Sequence, residues 1–103
     1  MESNGHPASL RVGVIGAGRV GAVLGAALAR AGHRVTGVYA VSEDSRARAT
    51  DLLPDAPVAD IPTVIAGTDL VLLAVPDDAL AHLVAGLAAT GTWEAGQIVA
   101  HTS

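Results

Sequence analysis

Six residues near the start of the chain have the spacing of an anion grip: Gly16-Ala17-Gly18-Arg19-Val20-Gly21, with glycine at the first, third and sixth positions. The chemistry of such a turn is binding. Gly16 permits a sharp turn off a strand, Gly18 leaves room for a pyrophosphate to approach the backbone, and Gly21 lets the next helix pack closely. The helix start then offers unpaired N–H groups and a partial positive charge to phosphate oxygens. Ala17, Arg19 and Val20 complete this candidate cofactor-binding set. Glycine turns are common, so the motif gains meaning from context: a buried strand before it, an amphipathic helix after it, and a βαβ unit around it.

A second group selects between cofactors. In an NAD site an acidic residue closes the second strand, about 20 residues past the glycines, and binds the ribose hydroxyls. Here that strand ends Val38-Tyr39-Ala40-Val41-Ser42, without a carboxylate. Ser42 and Arg46, with Arg48 as a weaker candidate, suit the 2′-phosphate of NADP, because guanidinium binds phosphate through a planar fork. Glu43 and Asp44 act against this, and either arginine could be a solvated helix charge. The balance favours NADP, with NAD open.

Two further groups lie at strand ends. Val75, Pro76 and Asp77 follow the fourth strand, on the edge where open α/β sheets bind ligands. They could line the nicotinamide or ribose side of a cleft, or Pro76 could simply end the strand and Asp77 cap the next helix. His101 ends the fifth strand. It is the candidate catalytic residue, able to bind substrate or transfer a proton near neutral pH, although a strand-end histidine can also serve no such role. His6, His33 and His82 form no metal-ligand spacing, so no metal site is expected.

These residues need elements to hold them. Leu10–Ile15 is a near-continuous apolar run, as in a parallel strand buried on both faces. From Arg19 to Ala31, Val20, Val23, Leu24, Ala27, Leu28 and Ala31 recur at helical spacing, and Gly32 stops the helix. Arg34–Ala40 reads as a strand. Ser42 caps a helix from about Glu43 to Leu53, broken by Pro54. Pro57–Ala59 is a very short third strand, and Ile61–Ala66 a short helix ending at Gly67. Asp69–Val75 is a buried strand. Asp77 and Asp78 open a helix with Leu80, Leu83, Val84 and Leu87 on one face, and Gln97–His101 is a fifth strand after a Gly91–Gly96 loop. The alternation implies a parallel sheet with right-handed crossovers. The fold class is α/β, a Rossmann-like three-layer α/β/α arrangement with strand order 3-2-1-4-5.

Composition agrees. The chain has 103 residues, about one domain, and half are hydrophobic. Tyr39 and Trp93 are its only aromatic residues, so Val, Leu, Ile and Ala must build the core. The formal charge is −4 and every basic residue is an arginine. No basic stripe supports nucleic-acid binding. The absence of cysteine excludes a disulfide scaffold and a thiolate nucleophile. A membrane span is not expected, because Arg19 interrupts the apolar stretch. Met1–Ser9 lacks the pattern of a signal peptide and reads as a loose tail before the 10–103 domain. A cytoplasmic location fits these features.

Leu10–Gly21, the run Leu72-Leu-Ala-Val-Pro-Asp-Asp-Ala79 and the ending His101-Thr-Ser103 together resemble a family assigned as oxidoreductases, with an N-terminal Rossmann-like NAD(P)-binding domain and a helical C-terminal domain of unknown function. The same half is similar to pyrroline-5-carboxylate reductases, deazaflavin-dependent NADP oxidoreductases and 6-phosphogluconate dehydrogenase-like enzymes. The resemblance covers Leu10 to Ser103. It implies NADP(H) binding for hydride transfer with a small-molecule substrate. In that family a glycine follows the histidine–serine pair, and then comes a second domain that supplies much of the substrate pocket and a homodimer interface. Residues 1–103 alone are therefore expected to bind cofactor weakly and turn over nothing. The alternative is a dinucleotide-sensing module without catalysis.

Overall fold

The computed structural model describes residues 9–102, apart from the side chains of Asp77 and Asp78. The expected tail, except Ser9, lies outside the described residues. Four strands and four helices follow in chain order: β1 (Arg11–Ile15), α1 (Arg19–Arg30), β2 (Arg34–Tyr39), α2 (Glu43–Leu52), α3 (Ile61–Ile65), β3 (Leu70–Leu73), α4 (Asp77–Ala89) and β4 (Ile98–His101). The sheet runs β2-β1-β3-β4, and every pairing is parallel.

The expected third strand is reduced to one bridge, Val38 to Val58. The Val38 amide donates to Pro57 O at 3.0 Å and the Ala59 amide to Val38 O at 2.9 Å. Pro57 has no amide to extend the ladder, and Asp60 already caps α3 through the Thr63 amide at 3.0 Å. With this bridge counted as a strand, the order reads 3-2-1-4-5.

Helices cover both faces. On one side α1 and α2 close over Val12, Val14, Val35, Ala40, Ala49 and Leu53. On the other, α3 and α4 cover Ile15, Val64, Ile65, Val71, Leu73 and Leu87, with Trp93 packed alongside. Helix α3 approaches unusually closely over Gly13, where an added Cβ would lie 2.6 Å from the Val64 carbonyl oxygen.

The buried face of α1 differs from the expected one. Gly21, Ala22, Gly25 and Ala26 face inward, whereas Val20, Val23 and Leu24 are 56%, 54% and 39% exposed. The cause is distance. A Cβ on Gly21 would meet the Ala74 Cβ and the Gly16 carbonyl oxygen at 2.5 Å, and one on Gly25 would meet Leu53 at 3.2 Å. A helix this close to the sheet admits only its smallest residues, and the branched aliphatics are turned outward. Gly32, with φ of 100°, does end this helix, as its amide donates to Ala29 O and that of His33 to Leu28 O.

Strand β3 is shorter than the expected Asp69–Val75. The Ala74 amide still donates to Ile15 O at 2.8 Å, but its own carbonyl lies against the glycine turn. At the amino ends of the strands, by contrast, polar side chains tie the elements together. Arg11 pairs with Asp69 through its backbone amide at 2.9 Å and its guanidinium at 3.3 Å. The His33 Nδ1 accepts from the Leu10 amide at 3.0 Å. The Gln97 amide nitrogen donates to Ile65 O, Thr68 O and Thr68 Oγ1.

Candidate functional site

The glycine turn follows Ile15, at the carboxyl edge of the sheet. Gly16 has φ of 97°, a region that favours glycine, and a Cβ there would lie 2.5 Å from the Ala74 carbonyl oxygen. Its amide donates to Tyr39 O at 2.8 Å, joining the turn to the end of β2. Gly18 is different. Its φ of −67° and ψ of 177° suit any residue, and an added Cβ would meet nothing within 4 Å. Neither backbone conformation nor packing among the described residues demands glycine there. A Cβ would instead occupy open space above the helix start.

Helix α1 begins beneath that space with Gly18 as its N-cap and no side-chain cap. Its first turn contains no acidic residue. The first intrahelical bond runs from the Ala22 amide to Gly18 O at 2.9 Å. The amides of Arg19, Val20 and Gly21 therefore precede the ladder, as the first N–H groups of any helix do. Helices α2 and α3 instead carry side-chain caps, from Ser42 and Asp60.

The cofactor-selecting residues have separate placements. Ser42 does cap α2: its Oγ accepts from the Ser45 amide at 3.1 Å and donates to the Ser45 Oγ at 2.9 Å. Arg46 donates through Nε to Ala40 O at 3.3 Å, at the end of β2. Among the described residues its terminal nitrogens make no hydrogen bond, and the side chain is exposed. Arg48 turns the other way and donates through Nη1 to Ala17 O at 2.9 Å, inside the glycine turn. No local pattern announces a bond across 31 residues. Glu43 and Asp44 occupy the exposed first turn of α2.

Val75 packs partly into the core beside Ile15, with its Cγ1 3.3 Å from where a Gly16 Cβ would stand. Pro76 is the N-cap of α4 and is exposed. Asp77 opens that helix, but its side chain lies outside the described residues. His101 is exposed at the end of β4, opposite Leu73 in register. The topology thus brings the glycine turn, the start of α2, Pro76 and His101 to one edge of the sheet.

The arrangement can hold phosphate groups and orient a long ligand across strand ends. Among the described residues no group of three His, Cys, Asp or Glu could hold a metal ion. Nor is any described helix long and apolar enough to cross a membrane. Among the described side chains, two carboxyls have displaced titration, Asp69 at the amino end of β3 and Asp60 at the start of α3. Hydrogen bonds from Arg11 hold Asp69 below its ordinary value, and bonds from Thr63 do the same for Asp60.

The sequence matches the family of Rossmann-like domains over residues 1–103. Among solved structures it is similar to the crystal structure of the putative NADP oxidoreductase BF3122 from Bacteroides fragilis, with a TM-score of 0.75 and 25% identity. The alignment covers 92% of this chain and 36% of that one, so this chain spans little more than a third of its structural neighbour. No curated protein matches the sequence. Parallel strand order, the glycine turn at the carboxyl edge and the family match agree: this chain belongs to the Rossmann-like domain family.

Proposed function

We propose that this domain binds NADP(H), with the pyrophosphate on the first amides of α1 and the 2′-phosphate beside Arg46, as the cofactor-binding part of an oxidoreductase acting on a small molecule. The observation that carries the reading is Gly18, a glycine with ordinary backbone angles and open space where its Cβ would stand. A phosphate fits that space, because the amides of Gly18, Arg19 and Val20 can donate to its oxygens and the helix start favours negative charge. Gly16, Ala17 and Gly21 shape the turn. The solved neighbour's description as an NADP oxidoreductase supports the same class of cofactor.

The preference for NADP over NAD rests on the end of β2. No carboxylate stands between Ala40 and Ser42 to accept bonds from ribose hydroxyls. Arg46 uses only Nε internally, and its exposed guanidinium end can meet a phosphate. Ser42 joins it by exchanging its bond to the Ser45 hydroxyl while keeping the helix cap. Glu43 and Asp44 weaken this preference by repulsion.

A bound nicotinamide dinucleotide supplies the hydride chemistry. In this reading the backbone at Val75, Pro76 and Asp77 borders the nicotinamide side, and His101 holds or delivers a proton at the substrate. Calorimetric titration with NADPH and NADH tests the cofactor. NADPH should bind more tightly. Arg46→Met should weaken NADPH by about tenfold, the scale of one charge-assisted hydrogen bond, and leave NADH unchanged. Tighter NADH binding sinks the preference, and binding of neither sinks the reading. Hydride transfer to or from NADP(H) by the protein, lost on His101→Ala, would separate catalysis from sensing.

A further inference from the structure

The geometry points to Arg48 as a positioning residue for the glycine turn, one that acts on dinucleotide binding through the Ala17 carbonyl and not through a 2′-phosphate. The inference rests on the dinucleotide reading above and adds a residue that serves NADP and NAD alike.

Arg46 and Arg48 are two residues apart on α2, so they leave the helix about 200° apart. Arg46 reaches the end of β2. Arg48, half-buried, reaches across to Ala17 O at 2.9 Å. Among the described residues, no other side chain hydrogen-bonds to Gly16, Ala17 or Gly18. This matters because of what the turn is made of. Two glycines flank Ala17, and glycine backbones lose the most conformational freedom on ordering. A charged hydrogen bond from a separate helix limits that freedom before a ligand arrives, and less ordering is then left to oppose binding.

The second effect is electrostatic. The Ala17 carbonyl oxygen is a partial negative charge within the turn that would receive a phosphate. The guanidinium offsets it and leaves positive potential beside the first amides of α1. Such a bond is charge-assisted, hence stronger than one between neutral groups. Both effects concern the pyrophosphate, which every nicotinamide dinucleotide carries. Arg48 is therefore blind to the 2′-phosphate, and Arg46 is not.

The test uses the 103-residue chain with Arg48→Met, Arg48→Lys and Arg46→Met. Dissociation constants for NADPH and NADH are measured at fixed salt, and amide hydrogen exchange without ligand is followed at Gly16, whose amide is bonded to Tyr39 O. Arg48→Met should weaken both cofactors by the same factor, about tenfold, leaving their ratio unchanged. Exchange at the turn should also quicken about tenfold. Arg48→Lys keeps one donor and the charge, and should recover most of both effects. Arg46→Met should change the ratio without touching exchange. Selective loss of NADPH on Arg48→Met would overturn the inference, as would unchanged affinity and exchange. A melting temperature lowered with affinity intact would make Arg48 merely structural. If the unmodified chain binds neither dinucleotide, the proposed function fails, and the exchange rates with their lysine rescue still decide whether Arg48 holds the turn. Should Arg48→Met not fold, Arg48→Gln carries the same comparison.

Discussion

The start of β1 and the glycine turn that follows its end treat their polar groups differently. At the amino ends polar groups are consumed: Arg11 by Asp69, the Leu10 amide by His33, and the Gln97 side chain by Ile65, Thr68 and Glu94. At the carboxyl ends, α1 starts without a side-chain cap and Gly18 faces open space. Buried or half-buried polar groups are costly when unmet. Ser42, Asp60, Arg46 and Arg48 are also bonded at the carboxyl edge, so the contrast is confined to the start of α1, whose first amides meet no side chain among the described residues.

Breaking the grip should have the largest effect. Gly21→Val would drive a side chain into the Gly16 carbonyl and Ala74, lowering stability by about 3 kcal/mol and the melting temperature by on the order of 15 °C. An unchanged melting curve would mean that α1 does not lie so close. Next is the fastened edge. Gln97→Leu removes three donor contacts and leaves the buried Thr68 short of a partner, which should cost about 2 kcal/mol in urea unfolding with dinucleotide binding intact. Loss of binding there would show that the two edges are not independent.

Gly18→Val sharpens the contrast from the other side. Ordinary backbone angles and open space around the added Cβ leave mainly the poorer N-cap preference of valine, so stability should fall by no more than about 1 kcal/mol, while NADPH affinity falls at least about tenfold. The smallest effect is acid dependence. Asp69 and Asp60 titrate below their ordinary value of 3.8 in the folded chain. Their contribution is present above that value and fades as pH falls through the lower, folded ones. Unfolding midpoints should therefore decline as pH falls below 3.8, and less so in Asp69→Asn. High salt should shrink the Arg11–Asp69 part of this, since both side chains are exposed.

Much of this architecture is legible in the sequence because its signals are local. Buried strands read as apolar runs, glycines punctuate, and Ser42 before Glu43 announces a capped helix. What escapes depends on distance in space. Hydrophobic periodicity ranks Val20, Val23 and Leu24 as the inner face of α1, but a helix at glycine distance from a sheet buries its smallest residues instead. Pro57–Ala59 looks like a strand, yet a proline without an amide sustains one bridge. The Arg48–Ala17 bond and the Gln97 network join residues about 30 positions apart, and nothing near either residue in the chain foretells its partner. Arg48 stands among the candidates in the sequence, but for a 2′-phosphate and not for its bond to the Ala17 carbonyl.

Ala74 sits where the glycine turn, α1 and the end of β3 converge, with Gly16 and Gly21 both against it. Those three positions form one interlocked joint, in which no member can gain volume unless another yields. This joint is a fixed frame, set apart from the start of α2, where the proposed cofactor choice would be tuned. Under the proposed function, Arg46 can be varied widely in a library and Ser42 only among residues that still cap α2, whereas positions 16, 21 and 74 would have to be varied as a trio or left alone.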